Sequence, residues 1–339
     1  MKKKTALITG ISGQDGAYLA QFLLKKNYNV IGCDRRSSRG NLWRLSELNI
    51  ENKITIEDLD LIEISNIFRV FNKYPLDEVY NLGAQSFVAS SFKNPIYTAD
   101  VTGISALRIL EVIRTLRKKP KFYQASSSEM FGNSGTVKQN ENTYFKPQSP
   151  YAISKVFAHQ NVINYRDGYG LYAVAGILFN HESPLRPEHF ITRKITNGLA
   201  KIIKGEIDCL EIGNIYSKRD WGFAGDYVEA MWKMMQQKKP LDFVIATGET
   251  HTVKEFINLS TKFFNLKTKW TGKGINESLI DIDTNKKIIK ISKKYFRPTD
   301  VKYLKGDYSK AKRLLKWRPK TKFKELVKLM CQSEIKRYL

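Results

Sequence analysis

Thr5-Ala6-Leu7-Ile8-Thr9-Gly10-Ile11-Ser12-Gly13-Gln14-Asp15-Gly16 stands near the start of a 339-residue sequence. Its first five residues form a short apolar run of strand character. From Ala17 to Lys26, apolar residues at 19, 22 and 23 recur with helical spacing. Between the two, Gly10, Gly13 and Gly16 fall as Gly-x-x-Gly-x-x-Gly. In that context glycines let backbone amides approach a pyrophosphate at a helix N-terminus. A glycine triplet alone is a weak signal; between a strand and a helix it is a strong one.

Outward from it, Asn29 to Cys33 reads as a second strand, ending at Asp34-Arg35-Arg36-Ser37-Ser38. An acid here normally accepts from the ribose 2′-hydroxyl of NAD, whereas arginines pair with the 2′-phosphate of NADP. The two signals conflict. With Asp34 turned away or paired, the adjacent arginines and serines make the better phosphate cradle, so NADP is favoured over NAD. Lys53–Glu57, Glu78–Leu82 and Lys121–Ala125 read as further strands, and Ile104–Leu116 as a helix. Leu171–Leu178 is another strand, and the polar loop Phe179 to Arg186 after it reads as a binding loop. This alternation, kept up over about 180 residues, predicts an α/β fold with a doubly wound parallel sheet and its ligand at the carboxyl ends of the strands.

Two phrases carry chemistry at those ends. Ser126-Ser127-Ser128-Glu129-Met130-Phe131-Gly132 follows a strand and offers hydroxyls and a carboxylate. Ser149-Pro150-Tyr151-Ala152-Ile153-Ser154-Lys155 opens with an N-cap and a proline at the first helical position. Tyr151 and Lys155 then lie four residues apart on one helix face, where the ammonium favours the phenolate. Such a phenol can take a proton from a sugar or alcohol hydroxyl. The pair means little without the dinucleotide loop upstream.

Later signals are weaker. Ile191 to Ile203 is helical, with Arg193 and Lys194 near its start. Leu210–Asn214 leads to Lys218-Arg219-Asp220-Trp221-Gly222, then a helix runs through Tyr227–Met231. Leu241–Thr247 reads as the last strand. Val253, Phe256, Ile257, Ser260 and Phe264 form an amphipathic stripe, followed by a lysine-rich segment to Tyr295 with no clear assignment and then Phe296-Arg297-Pro298. Ser309–Lys316 reads as a short basic helix, and Phe323, Leu326, Val327 and Met330 mark the final one.

Lysine and arginine number 57 against 33 acids, a net charge of +24. The cations are spread along the chain, not gathered on one stripe with aromatics interleaved, so a nucleic-acid partner is not expected. Cys33, Cys209 and Cys331 are widely spaced, and the four histidines show no metal-ligand spacing; neither disulfides nor a metal is expected. Met1-Lys2-Lys3-Lys4 resembles a signal-peptide start, but the apolar run after it breaks at Gly10 and Gly13. No apolar run approaches the ~20 residues of a membrane helix. A cytoplasmic protein with no membrane partner fits.

The glycine loop with Tyr151 and Lys155 resembles the extended short-chain dehydrogenase/reductases. A larger ordered set of phrases resembles the GDP-mannose 4,6-dehydratase family within them. It includes Thr9-Gly10-Ile11-Ser12-Gly13-Gln14-Asp15-Gly16, Arg35-Arg36-Ser37-Ser38, Gln124 to Gly132, Phe179-Asn180-His181-Glu182-Ser183-Pro184, Thr192 to Thr196, Arg219-Asp220-Trp221-Gly222, Val244 to Gly248 and Tyr295-Phe296-Arg297-Pro298. The resemblance implies a Rossmann-type domain over 1–180, with 219–248 returning to it. A smaller C-terminal α/β domain for a nucleotide sugar would take 181–218 and 249–339. It implies a homotetramer or homodimer, NADP as cofactor and GDP-mannose as substrate. The reaction would be C4 oxidation, water elimination across C5 and C6, and hydride return to C6 with NADP recycled.

By the same resemblance, Ser127, Glu129, Tyr151 and Lys155 are catalytic, with Glu129 the acid/base that separates dehydration from dehydrogenation. Cofactor contacts would be Gly10, Gly13, Gln14, Asp15, Gly16, Arg35, Arg36, Ser37, Asp60, Leu61, Leu82, Ala84, Ser86, Tyr151, Lys155, His181 and Arg186. Substrate contacts would be Ser86, Ser128, Asn180, Lys194, Arg219 and Arg297. Three residues depart from the family's usual pattern: Ser127 for threonine, Pro187 for glycine, and Gly83 for alanine. The alternatives are a dehydratase of another GDP-hexose, a nucleotide-sugar 4-epimerase or 4-reductase, and a Rossmann-fold nucleic-acid binder.

Overall fold

Thr5–Thr9 becomes strand β1 and is buried along its whole length, as a strand covered by helices on both faces must be. The computed structural model describes residues 3–37, 41–135, 137–296, 299, 301 and 303–338. In chain order there follow β2 (Asn29–Asp34), β3 (Thr55–Asp58), β4 (Glu78–Asn81), β5 (Lys121–Ser127) and β6 (Ala173–Leu178). Next come β7 (Asn180–Glu182), β8 (Leu210–Ile212), β9 (Lys218–Arg219), β10 (Trp221–Phe223) and β11 (Phe243–Ile245). The last four are β12 (His251–Thr252), β13 (Thr268–Thr271), β14 (Ser278–Asp281) and β15 (Lys287–Ile291).

Seven strands form one parallel sheet in the order β11-β6-β5-β4-β1-β2-β3. Strand periodicity splits the residues of β1 between two cores. Ala6 and Ile8 join Leu19 and Leu23 of the helix Gln14–Lys25 and Met231 and Met234 of the helix Ala224–Met235. Leu7 faces the other way, onto Ile67, Ile109 and Val162 of the helices Ile64–Lys73, Ser105–Thr115 and Pro150–Tyr169. The strand order turns back at β1, which pairs with both β2 and β4, and this leaves a crevice at the carboxyl ends.

A second sheet, β13-β14-β15-β8, packs Leu279 and Ile289 on Ile195, Phe256 and Val327. Those three come from the helices Ile191–Ile203, Val253–Phe263 and Phe323–Tyr338. Two expectations are corrected here. The strand predicted over Leu241–Thr247 shrinks to Phe243–Ile245 and is not the last. The lysine-rich segment holds three strands. Their buried positions, such as Leu279, Ile288 and Ile289, are interrupted by outward lysines, and a register shift between Leu279 and Ile280 breaks the alternation. Among the described residues no helix is long and apolar enough to cross a membrane.

The Pro150–Tyr169 helix is anchored to the large sheet by a two-pronged pair. Arg166 Nη1 and Nη2 donate to Asp242 at 2.9 Å each, and Asp242 also accepts the backbone N–H of Ala175 at 2.7 Å. Arg166→Ala should therefore lower the unfolding free energy by about 2 kcal/mol, the worth of a charge-assisted bond whose partner stays buried. Urea denaturation checks this, and a loss of only a few tenths would contradict it.

Candidate active site

The carboxyl ends of β1, β2, β4, β5 and β6 open on one cavity of about 1310 Å³ that extends to Ile212, Gly213 and Tyr295 at the small sheet. At its floor the chain turns from β1 into the first helix. Gly10 has φ +69, and a Cβ there would lie 2.9 Å from the backbone nitrogen of Gly83. A Cβ on Gly16 would lie 2.4 Å from the carbonyl oxygen of Gly10. These glycines bring strand and helix so close that the helix N-terminus faces the cavity with its amides unblocked. A methyl at Gly83 would come within 2.5 Å of Leu61 Cδ1, so the glycine makes room for that side chain.

Gln14 and Asp15, in the first helical turn, reach across to the β7 segment. Gln14 donates to the carbonyl of His181 at 2.9 Å and accepts from the Ser183 hydroxyl at 2.8 Å. His181 donates from Nδ1 to the carbonyl of Phe179, and its Nε2 shares a proton with Asp15, both at 2.7 Å. Burial pulls this imidazole down, but Asp15 outweighs it and holds the pKa above its ordinary value. Burial likewise pushes Asp15 up, and His181 with Arg186 pull it below the usual carboxylate value. The other Asp15 oxygen, Oδ1, is buried without a partner.

Around the outer floor lie Asp34, Arg35, Asp60, Leu61, Leu82, Ala84 and Ser86, all lining the cavity. Among the described residues no guanidinium pairs with Asp34; its carboxylate accepts the backbone N–H of Arg35 at 2.9 Å. Arg35 reaches the hydroxyl of Tyr97 at 3.5 Å. Arg36 and Ser37, expected beside Arg35, are exposed and do not line the cavity.

The wall is built by β5 and the helix that starts at Pro150. Ser149 caps that helix, accepting from Ala152 N at 3.1 Å, a contact worth about 1 kcal/mol. The cap places Tyr151 and Lys155 on the cavity. Ser127 Oγ accepts the backbone N–H of Glu129 at 3.2 Å and is near enough to the Tyr151 hydroxyl to favour its ionised form, so one serine stands between the phenol and the carboxylate segment. Below it, Ser126 Oγ lies 3.0 Å from Nδ1 of the buried His159. The expected lowering of the phenol is not what this environment produces. Burial pushes Tyr151 up to about 12; Ser127 opposes the rise and the Glu129 charge adds to it. Lys155 donates instead to the carbonyl of Ala125 at 2.7 Å, with its nitrogen 5.7 Å from the Tyr151 ring centre. Burial pulls this ammonium down to about 8.

Ser128, Asn180, Lys194 and Arg219, expected with Ser86 as substrate contacts, also line the cavity. Asn180 Oδ1 is buried without a partner. Lys194 sits 3.4 Å from the ring centre of Tyr295, and burial lowers its pKa. Arg219 donates to the carbonyl of Lys218 at 3.0 Å. The next residue, Asp220, anchors this corner by accepting from Thr247, Gly248 and Gly306. Arg297 lies outside the described residues. Sequence reading missed Tyr295 and the packed rings of Phe87, His189 and Phe190, with centres 4.5–5.7 Å apart. The available signal was His189-Phe190, two aromatics in a polar loop just ahead of a helix.

A sequence profile of the family described as GDP-mannose 4,6 dehydratase matches residues 7–330. The GDP-mannose 4,6 dehydratase 1 of Arabidopsis thaliana is 50% identical over 98% of this chain and 90% of its own length. The GDP-mannose 4,6 dehydratase of Drosophila melanogaster is 48% identical over 98% of this chain and 87% of its own. Among solved structures, UDP-glucose 4-epimerase of Thermotoga maritima with UDP-glucose superimposes with a TM-score of 0.82 at 24% identity, covering 98% of this chain and 99% of that one. The dTDP-glucose 4,6-dehydratase of Bacillus anthracis in complex with NAD gives 0.80 at 18% identity, covering 98% and 97%. These two show the fold.

Lys155 yields a test of the site's electrostatics. Its folded pKa of about 8 lies below the ordinary lysine value of 10.5. Between those values the unfolded chain binds more protons, so this group makes stability rise with pH. Lys155→Met removes the buried charge. Its stability advantage over the parent protein should be largest below pH 8 and shrink toward pH 10. Denaturant melts at pH 7 and 9.5 measure it; an advantage that does not change with pH contradicts the assignment.

Proposed function

The chain belongs to the GDP-mannose 4,6-dehydratase family, and we propose that it converts GDP-D-mannose to GDP-4-keto-6-deoxy-D-mannose with NADP recycled. The observation that carries this reading is the cluster of Tyr151, Ser127 and Glu129, a phenol and a carboxylate segment with one hydroxyl between them on the cavity wall. A 4-epimerase or 4-reductase has use for Tyr151 and Lys155 but not for a second acid/base there. The residues also fit a dinucleotide: a tight strand-to-helix turn that a Cβ at Gly10 or Gly16 would force apart, a helix N-terminus, the guanidinium of Arg35, and buried acceptors on Asp15 and Asn180 left without partners.

Each chain residue then has a task. Tyr151 accepts the proton of the sugar C4 hydroxyl, which Ser127 orients. Lys155, charged below about pH 8, is the cation this chain supplies to favour the phenolate. A nicotinamide bound there would supply the hydride chemistry, taking the C4 hydride and returning it to C6. With C4 a ketone, the C5 proton is acidic; Glu129 takes it and passes a proton to the C6 hydroxyl as that leaves as water. C5 takes up a proton when C6 is reduced, which balances the one Tyr151 removed from the C4 hydroxyl. Lys194 and Arg219 are cationic donors for the diphosphate and ribose.

The large sheet, residues 1–180 with 219–248, takes the cofactor, and 181–218 with 249–339 takes the nucleotide sugar. Arg35 on the cavity favours NADP over NAD. Ile96 and Ile153, 85% and 57% exposed on adjoining helices, support a homodimer or a homotetramer built from it. The cytoplasm supplies both nucleotides.

Incubation with GDP-mannose and catalytic NADP, followed by mass spectrometry, tests the reading: the sugar nucleotide should lose the mass of water, about 18, in the C6 elimination that Glu129 drives. Net accumulation of NADPH with no such loss would reject it. Glu129→Gln should cut dehydration at least about 100-fold while C4 oxidation persists; undiminished turnover would remove Glu129 from the mechanism. Arg35→Ala should weaken NADP about tenfold and NAD much less. Calorimetric titration with each dinucleotide distinguishes them, and equal losses would refute the 2′-phosphate role.

A further inference from the structure

The loop after β7 carries Arg186 and Pro187 to the cavity, and three of its consecutive carbonyls are each held by a guanidinium. Pro184 O accepts from Arg337 Nη1 at 3.1 Å, Leu185 O from Arg44 Nε at 2.6 Å, and Arg186 O from Arg193 Nη1 at 2.7 Å. The arginines come from three separate helices, Phe323–Tyr338, Trp43–Glu47 and Ile191–Ile203. Their guanidinium groups gather around the ring of Trp43, at 4.3, 5.3 and 5.6 Å from its centre. Three cations so close, two of them buried, repel one another and lose hydration. Arg44 registers this: burial and the neighbouring arginines pull it down to about 10.

Acids offset the charge. Glu334 is fully buried and accepts from Arg193 Nε at 3.0 Å and Arg337 Nη1 at 3.1 Å. Glu47 takes Arg337 Nη2 on both oxygens, at 2.5 and 2.7 Å. Arg44 makes one further bond that shows what the cluster is for. Its Nη1 donates to the carbonyl of Ser12, inside the glycine loop, at 2.7 Å. One guanidinium thus ties the glycine loop to the Arg186 loop, and the other two fix that loop on either side of the tie.

We propose that Arg44, Arg193 and Arg337 are positioning residues that set the Arg186–Pro187 loop against the glycine loop, so that the final helix takes part in holding the dinucleotide. None of the three touches the ligand; each acts through a loop carbonyl. The inference rests on the reading of the cavity as a nicotinamide dinucleotide site. Arg337 is the member to change, because it is the most exposed of the three and Arg337→Met keeps the stem packed on Trp43. Arg166→Ala is the matched control, since it also removes a guanidinium from a carboxylate and a carbonyl but far from the cavity.

Calorimetric titration with NADP and with NAD should show Arg337→Met weakening the dinucleotide that the parent protein binds by about tenfold, the size of one lost charge-assisted bond. Turnover at saturating cofactor should change far less than the cofactor KM, and Arg337→Lys should recover part of the affinity. Glu47→Gln, which frees Arg337 without removing it, should shift affinity in the same direction by less. Arg166→Ala should lower the melting temperature and leave dinucleotide affinity as it was. Unchanged affinity in Arg337→Met, or an equal loss in Arg166→Ala, overturns the positioning role while leaving the cofactor site standing. A parent protein that binds neither dinucleotide overturns both readings together.

Discussion

The buried pair between Asp15 and His181 is the contact on which the cavity depends. The glycine loop and the segment after β6 leave strands three places apart in the large sheet, and packing alone does not set their distance. The carbonyl of Phe179 fixes a proton on Nδ1, and the mutual pull that lowers Asp15 and raises His181 favours the ion pair across the other 2.7 Å bond. Neither charge is tolerable alone at that depth. Gln14 repeats the same bridge one residue earlier with neutral groups. Two neighbouring side chains in one helical turn therefore locate Asn180, Arg186 and the ring of Tyr227, which stacks on His181 at 4.7 Å.

Burial shapes the two titratable groups of the wall in opposite directions, because one is neutral when protonated and the other is charged. It raises Tyr151 and lowers Lys155. Ordinary values of 10.0 and 10.5 become about 12 and about 8, so the site drives the two groups apart, and the phenolate beside an ammonium is harder to form there than free tyrosine and lysine would suggest.

Much of this was legible in the sequence for local reasons. The strand, glycine loop and helix of residues 5–26 declare themselves because each is specified by neighbours in the chain. Ser149-Pro150 marks a helix start by its own chemistry, and Tyr151 and Lys155 share a face by spacing alone. What could not be read depends on distant partners. The strands between Thr268 and Ile291 were hidden because lysines fill their solvent face and a bulge spoils the alternation. Arg44 and Arg193 look like surface arginines in the sequence, yet they are 6% and 4% exposed because an acid 141 residues beyond Arg193 and carbonyls on a far loop receive them. The upward shift of Tyr151 comes from burial that no four-residue spacing encodes. Arg36 and Ser37 follow Arg35 directly in the chain, yet only Arg35 lines the cavity, a difference that proximity in sequence does not decide.

The order in which the chain visits its two sheets has a consequence for folding. β8 belongs to the small sheet, but β11, thirty-one residues further from the end of β8 to its start, returns to complete the edge of the large one beside β6. The small sheet in turn waits for β15 to pair with β8. Each sheet therefore closes only around a stretch of chain that belongs to the other, which makes joining the two halves a step that costs loop entropy. Their many pairings between residues far apart in sequence also make that step a slow one.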